Sequence, residues 1–269
     1  LQRLFARAKQ RGKERSMTQT VSTTDRIRAY LVLAATVGTV GFNWLAANGH
    51  VGGVTPELIS NKFPSVITPS GYAFTIWTLI YAGLIVFSIY QLLPGQLDRF
   101  RPIRSLYIFA SALNCAWIFF WAGEQIAICL VILLVLTAFL FLINSKLPDA
   151  ISGLESFLVR GTFGLYLGWA SAAALINFAV FLVYVKADPG SARPVLGAAL
   201  VLIAAAFGVF IRVCLTNYFA PLAIAWALTA IAVKQSGNTL VVAAAAVGVI
   251  ACLIAATSFV LNLKSSLDE

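Results

Sequence analysis

Tryptophan and asparagine are the residues of this sequence whose types and spacing best suit the binding of a ligand. Asn114 and Trp117 are three residues apart, and Trp169, Ala173 and Asn177 follow one another at intervals of four. Residues at these intervals share one face of a helix. Both asparagines stand in long apolar stretches, where an unpaired amide is unfavourable, so they are expected to point inward. The pattern predicts an apolar, aromatic pocket with amide donors, although helix packing alone explains it equally well.

Acid–base and metal chemistry are disfavoured because the apolar stretches contain no Asp, Glu, His, Lys or Arg. General acid–base catalysis needs a titratable group beside the substrate, and a catalytic metal needs several converging His or carboxylate ligands. The chain has one histidine, His50, and its four cysteines form no CxxC pair, so no metal site is predicted. A proton-coupled carrier is also disfavoured, since such carriers usually keep an ionisable residue in the membrane.

The elements that must position these residues are eight apolar runs. Apolar residues make up 60% of the 269 positions and charged residues 11%, compared with about a quarter charged in soluble domains. Each run is near or above the ~17–25 residues that cross the hydrocarbon of a bilayer as a helix. Because the runs are apolar on every face, they predict helices and not barrel strands. The runs cover 30–48, 71–93, 105–122, 126–145, 161–185, 195–211, 213–233 and 239–263.

The formal charge of +9 lies mainly at the ends of these runs, which indicates membrane orientation and not nucleic-acid binding. Nine cations flank one side and four the other, and this favours both termini inside. The predicted location is a bacterial cytoplasmic membrane. Residues 1–16 add six cations, and Met17 is the single methionine. Met17 is therefore a candidate start, with residues 1–16 not native. The alternative is a basic tail that binds anionic lipid headgroups.

The first outer loop, residues 48–70, is the longest between the runs. Thr55, Pro56 and Glu57 form an N-cap, an N1 proline and an early acid, which predict a short helix from Pro56 to Asn61. Such a loop either acts as a lid over a cavity or is only a connector.

The tryptophans divide by depth in their runs. Trp44 and Trp121 stand near run ends and fit an aromatic belt at the membrane surface. Trp77, Trp117 and Trp169 lie deeper, so a position inside the bundle is predicted for them.

Three stretches carry specific motifs: N-K-F-P-S-V-I-T-P-S-G-Y-A-F-T-I-W-T-L-I-Y at 61–81, A-L-N-C-A-W at 112–117, and Y-L-G-W-A-S-A-A-A-L-I-N at 166–177. In this order they resemble the TspO/MBR family, the tryptophan-rich sensory proteins that include the translocator or peripheral benzodiazepine receptor. The resemblance implies a five-helix membrane bundle that binds porphyrins, sterols and aromatic drug-like molecules beneath the first loop. It implies ligand contact by Trp77, Tyr81, Asn114, Trp117, Trp169, Ala173 and Asn177. It also implies a lid role for Pro69 and Tyr72.

The predicted fold class is therefore all-α, a polytopic helical membrane protein with a five-helix TspO-like bundle and about three additional transmembrane helices. The predicted organisation is a basic tail at 1–29, the five-span bundle at 30–185, a loop at 186–194, and three further spans with a short tail at 195–269. The resemblance requires no cofactor. It implies a tetrapyrrole as a candidate ligand and a homodimer as a candidate assembly.

Three functions remain open at this stage. The favoured one is a non-enzymatic sensor or facilitator that binds a hydrophobic or tetrapyrrole-like ligand, because the apolar interior lacks charge. The alternatives are a transporter of a small metabolite and a membrane enzyme that degrades porphyrins. The predicted partners are the lipid bilayer and a hydrophobic small molecule, without nucleic acid.

Overall fold

The computed structural model describes residues 23–187 and 189–258, and within these ranges the long elements are all helices. The predicted all-α polytopic membrane fold is confirmed. Residues 1–16, including the predicted extension or basic tail, lie outside the described residues. The long helices are α1 (Thr23–Ala47), α2 (Ile76–Tyr90), α3 (Arg104–Ala122), α4 (Ile126–Lys146), α5 (Thr162–Tyr184), α6 (Arg193–Leu215), α7 (Phe219–Lys234) and α8 (Thr239–Thr257).

Seven helical segments of the described chain are long and apolar enough to cross a membrane, while α7 is shorter, with 16 residues. Large apolar side chains cover the outside of the bundle, for example Val37, Leu134 and Val213, which are 65%, 56% and 72% exposed. An apolar exterior of this kind is unfavourable in water and suits contact with lipid. The protein is therefore embedded in a bilayer.

The connections between the long helices meet at two ends of the bundle in alternation, so successive long helices are antiparallel. The loop end carries residues 48–70, 123–125 and 235–238, and the tail end carries residues 91–103, 147–155 and 216–218. Both α1 and α8 have their outer termini at the tail end. Which end faces the cytoplasm stays a prediction from the distribution of cations.

Helix α5 lies at the centre of the fold, with 16 of its 23 residues buried. One hydrophobic cluster joins α1 to α5 with a face of α7, and a second joins parts of α5 and α7 to α6 and α8. Because α5 and α7 contribute to both clusters, they connect the first five long helices to the last ones.

Helices α5 and α7 cross at very short range because glycines face the crossing. A Cβ added to Gly168 would lie 2.2 Å from the carbonyl oxygen of Ala220, and one added to Gly164 would lie 2.1 Å from Oδ1 of Asn217. Small residues let helix backbones approach in this way. Any side chain at Gly168 must push the two helices apart.

Asn217 ties three helices together at the tail end. Its Oδ1 accepts hydrogen bonds from the backbone N–H groups of Phe219 (2.9 Å) and Ala220 (3.2 Å), which caps α7. Its Nδ2 donates to Asn144 Oδ1 of α4 (3.0 Å) and to the Arg160 carbonyl oxygen (2.9 Å). Arg160 belongs to a π-helical segment, Ser156–Gly161, that leads into α5.

Candidate ligand-binding site

An aromatic cluster between α2 and α5 forms the core of the predicted site. The ring of Trp77 stacks on that of Tyr81 with centroids 5.1 Å apart and planes at 14°. It meets the rings of Tyr166 and Trp169 edge to face at 5.6 and 6.2 Å. These separations lie in the range of favourable aromatic pairs. The i, i+4 spacing of Trp77 and Tyr81 on α2 places them on one face toward α5.

Helix α3 adds an amide to this cluster. Asn114 is fully buried, and its Oδ1 accepts a hydrogen bond of 2.7 Å from Nδ2 of Asn43 on α1. Asn43 Nδ2 also donates to the Thr39 carbonyl oxygen at 2.9 Å, which fixes the orientation of the Asn43 amide. Asn114 therefore presents its NH₂ group to the interior. The hydroxyl of Tyr81 lies near Asn114 without forming a hydrogen bond of ordinary geometry.

Five of the seven predicted ligand-contact residues each have a buried polar atom without a hydrogen-bond partner. Leaving such a group unpaired costs about 1–3 kcal/mol, so unpaired groups are rare in protein interiors. Their concentration in one set of residues indicates a site that a ligand would complete. The atoms are Tyr81 Oη, Asn114 Nδ2, Trp117 Nε1, Trp169 Nε1 and Asn177 Oδ1.

Trp117 and Trp121 extend the aromatic surface toward the loop end. Their rings stack with centroids 5.6 Å apart, and Trp117 shares the first hydrophobic cluster with Trp169 and Ala173. Trp121 is only 3% exposed, so its predicted place in the aromatic belt is wrong. The reason is that its Nε1 donates to the Pro56 carbonyl oxygen at 3.0 Å, beneath the loop. Trp44 is 62% exposed, as a belt residue would be.

Ala173 and Asn177 continue along α5 toward the loop end, one and two turns beyond Trp169. Both are buried, at 8% and 3% exposure. Ring contacts thus join Trp77 directly to Tyr81 and Trp169, and Asn114 lies beside Tyr81, whereas Trp117 and Asn177 lie nearer the loop end. The ligand roles of these residues stay predictions.

The sequence interpretation missed the polar residues of α1. Thr36 Oγ1 and Tyr107 Oη of α3 are hydrogen-bonded at 2.5 Å, and Asn43 binds Asn114 as described. Thr36, Thr39 and Asn43 are all buried. Their spacing of three and four residues within an apolar run was the signal available, since polar residues in membrane helices turn toward other helices.

The first half of the loop lies over the end of α3. Pro56–Lys62 is helical, and Thr55 Oγ1 accepts from the Leu58 backbone N–H, which confirms the predicted short helix and extends it by one residue. Lys62 Nζ contacts both carboxylate oxygens of Glu124 at 2.6 Å. This ion pair is exposed, so its contribution to stability is small.

Helix α7 fixes the second half of the loop and the short helix Gly71–Thr75 that follows it, and the predicted lid residues Pro69 and Tyr72 lie in these two segments. The backbone N–H of Ser70 donates to the Ala230 carbonyl oxygen at 3.0 Å. The ring of Tyr72 meets that of Trp226 edge to face at 5.2 Å. Pro69 is buried beside these contacts. The loop is therefore attached to α7 as well as to α3.

Gln235 supplies two further contacts, because its Nε2 donates to the carbonyl oxygens of Ser65 (3.3 Å) and Thr68 (3.2 Å). We expect Gln235→Ala to free this segment and to raise the rate of proteolysis within residues 56–70 on the order of fivefold, since a hydrogen bond contributes about 1 kcal/mol. Asn238→Ala, which removes only the N-cap contact to Val241, is the matched control. Equal cleavage rates in the two variants would contradict the anchoring role.

Two apolar clefts on the outside of the bundle are lined by residues other than the predicted seven. One, of about 570 Å³, lies between α2, α5 and α7, and the other, of about 620 Å³, lies between α4, α5 and α6. A polar cleft of about 380 Å³ at the loop end is lined in part by Lys186, Arg193, Gln235 and Asn238.

Comparison with known proteins decides the family. A model of the family described as TSPO-like protein matches residues 29–259. The chain belongs to the TSPO-like family. The match runs from α1 through α8, well beyond the motifs at 61–81, 112–117 and 166–177. No curated protein and no solved structure matches the chain. The family and the apolar helices together make it a membrane protein of the TspO type, and the suspected TspO/MBR resemblance is confirmed.

Proposed function

We propose that this TSPO-like protein is a non-enzymatic binding protein, a sensor or facilitator, for a hydrophobic or tetrapyrrole-like ligand held between α2, α3 and α5. The observation that carries the proposal is the set of five buried, unpaired polar atoms on the residues around the aromatic cluster. Packing requirements alone would place apolar atoms there, since an unpaired polar group is destabilising. A ligand that pairs with these atoms removes that cost.

The aromatic side chains and the few polar atoms of the site suit a flat, apolar ring system. Trp77, Tyr81 and Trp169 offer ring faces and edges, and aromatic ligands pack well against such surfaces. The loop above, fixed to α3 and α7, shields the site from water at the membrane surface. Because Trp77 and Tyr81 stack on each other, a ligand of tetrapyrrole size enters by moving these side chains apart.

The test is a titration of the purified protein in detergent with protoporphyrin IX and with its dimethyl ester. We expect saturable quenching of tryptophan fluorescence and a shift of the porphyrin absorbance band. In the double variant Trp169→Ala/Asn177→Ala the affinity should fall more than tenfold, because two groups worth about 1–3 kcal/mol each are removed. The absorbance shift is the readout for variants, since it does not depend on the number of protein tryptophans.

Trp44→Ala is the control, because Trp44 is exposed on the outside of the bundle. It should bind both porphyrins as the unchanged protein does. If neither porphyrin showed saturable binding, the proposed site would be contradicted. Equal affinities of the double variant and the unchanged protein would also contradict it. Progressive loss of porphyrin absorbance that requires the protein would contradict the non-enzymatic role.

A further inference from the structure

The polar cleft at the loop end lies apart from the aromatic site. Its volume is about 380 Å³, and none of the seven predicted ligand-contact residues lines it. Three connections meet there: the first loop through Ser65, the α5–α6 connection through Lys186 and Arg193, and the α7–α8 connection through Gln235 and Asn238. The cleft therefore exists only because the last three long helices pack beside the loop and the end of α5.

The charges around the cleft suit an anion. Lys186 and Arg193 are exposed side chains that line it, and Lys234 stands at the adjoining end of α7. Among the described residues that line the cleft, none is acidic. Asp188, which comes between the first two cations in sequence, lies outside the described residues. Three cations and this one acid still leave a net charge of +2.

Two helix N-termini add to the positive potential. Arg193 and Asn238, which both line the cleft, stand at the starts of α6 and α8. A helix N-terminus carries a partial positive charge, because its first backbone N–H groups have no partner within the helix. Asn238 Oδ1 accepts from the Val241 N–H at 3.3 Å, whereas Ala192 gives α6 no side-chain cap. Negative charge is therefore favoured in the cleft.

The remaining lining of the cleft is largely apolar and borders the membrane-facing surface. Val183 of α5 and Leu196 of α6 line the cleft. Near them in sequence, Val185 and Val195 are 48% and 61% exposed. These residues stand at the ends of membrane-spanning segments, where hydrocarbon meets the headgroups. A small soluble anion would use only the polar part of this surface, whereas a phospholipid would use both parts.

We infer that the polar cleft binds the phosphate of an anionic phospholipid, such as phosphatidylglycerol, whose acyl chains lie along the ends of α5 and α6. Lys186 and Arg193 attract the phosphate. Asn238, whose Oδ1 caps α8, offers its NH₂ group as a donor. The bound headgroup connects the first loop with the starts of α6 and α8. This lipid site is separate from the site proposed for the hydrophobic ligand.

The test is native mass spectrometry of the full chain, released from nanodiscs that contain equal amounts of phosphatidylglycerol and phosphatidylcholine. Both lipids carry a phosphate, but phosphatidylcholine has no net charge. We expect the protein to retain phosphatidylglycerol in preference to phosphatidylcholine on the order of tenfold. In Lys186→Gln/Arg193→Gln the preference should fall to near parity, because each cation near the membrane surface contributes a several-fold attraction to an anionic lipid.

Two further variants serve as controls. Lys186→Arg/Arg193→Lys keeps both charges, so it should retain the preference for phosphatidylglycerol. Arg26→Gln/Arg28→Gln removes two exposed cations from the tail end of the bundle, so it should retain the preference too. Inorganic phosphate at millimolar concentration should leave the bound lipid in place, since it makes no contact with the apolar part of the cleft.

The outcomes that overturn the lipid site are distinct. Equal retention of the two lipids by the unchanged protein overturns it, as does an unchanged preference in Lys186→Gln/Arg193→Gln. An equal loss in Arg26→Gln/Arg28→Gln would show that any surface cation produces the preference, and this also overturns the site. Displacement of the lipid by inorganic phosphate would assign the cleft to free phosphate. The porphyrin titrations test the aromatic site separately, so either proposal can fail alone.

Discussion

Gly168→Ala is expected to destabilise the protein by about 3 kcal/mol, because overpacking at a rigid backbone contact costs at the upper end of the usual range. The new Cβ would lie 2.2 Å from the carbonyl oxygen of Ala220, and a backbone atom cannot rotate away. Helices α5 and α7 would separate, and Trp169 would shift with α5. The measurement is the midpoint of unfolding in detergent, monitored by circular dichroism.

Gly41→Ala is the matched control, since Gly41 is also inside a helix and an added Cβ there meets nothing within 4 Å. Its unfolding midpoint should stay the same or rise slightly, because alanine favours a helix by about 1 kcal/mol over glycine. Equal midpoints for the two variants would show that α5 and α7 can move apart at little cost in free energy. This result would contradict the rigid contact between Gly168 and Ala220.

Asn217→Ala should be destabilising by roughly 3–4 kcal/mol, because one substitution leaves several buried groups unpaired. Asn144 Oδ1, the Arg160 carbonyl oxygen and the first backbone N–H groups of α7 all lose their partner. Asn217→Asp keeps the capping oxygen but places a buried carboxylate oxygen against Asn144 Oδ1 and the Arg160 carbonyl oxygen, so it should destabilise the protein at least as much as the alanine variant. Unfolding midpoints in detergent give the order.

Asn238→Ala provides the comparison, because Asn238 caps α8 through a single contact, from the Val241 backbone N–H at 3.3 Å. A cap of this kind contributes about 1 kcal/mol. A loss in Asn217→Ala no greater than that in Asn238→Ala would mean that Asn217 acts only as a cap and does not join α4, α5 and α7.

The class of fold was predictable because membrane helices are specified by composition and length. Runs such as 126–145 are apolar on every face, and only a helix satisfies their backbone in lipid. The short helix after Thr55 was predictable from its cap and proline. The α5–α7 crossing was not, since a glycine such as Gly168 shows that a close approach is possible but does not name the partner backbone.

Part of the site could be predicted, because a polar residue within an apolar run is expected to face the interior of the bundle. Burial of Asn114 and Asn177 follows from the cost of an amide in lipid, and both are buried. Asn43 was overlooked although the same reasoning applies to it. Trp121 was placed wrongly because a position near a run end fits both a belt and the underside of a loop. Only the hydrogen bond from Trp121 to Pro56 shows that Trp121 lies beneath the loop and not in the aromatic belt.

The last three long helices have a role that the motifs did not indicate. The boundary between a functional bundle at 30–185 and the further spans at 195–269 stays a prediction. Contacts nevertheless cross it, because Ala230 and Gln235 bind the loop segment at Ser70 and Thr68. The bacterial setting, the inside location of the termini and the homodimer also stay predictions.

The shortness of α7 has a consequence for the surrounding bilayer. At 16 residues the helix rises about 24 Å, whereas the hydrocarbon layer is roughly 30 Å thick. Nine of these residues are buried against other helices, but Leu222 and Trp226 face the outer cleft. Lipids beside that strip must thin to match the helix, at a small cost per ångström of mismatch. Since Trp226 also donates to the Ala73 carbonyl oxygen at 3.0 Å, we expect a change in bilayer thickness to be transmitted to the segment that leads from the loop into α2.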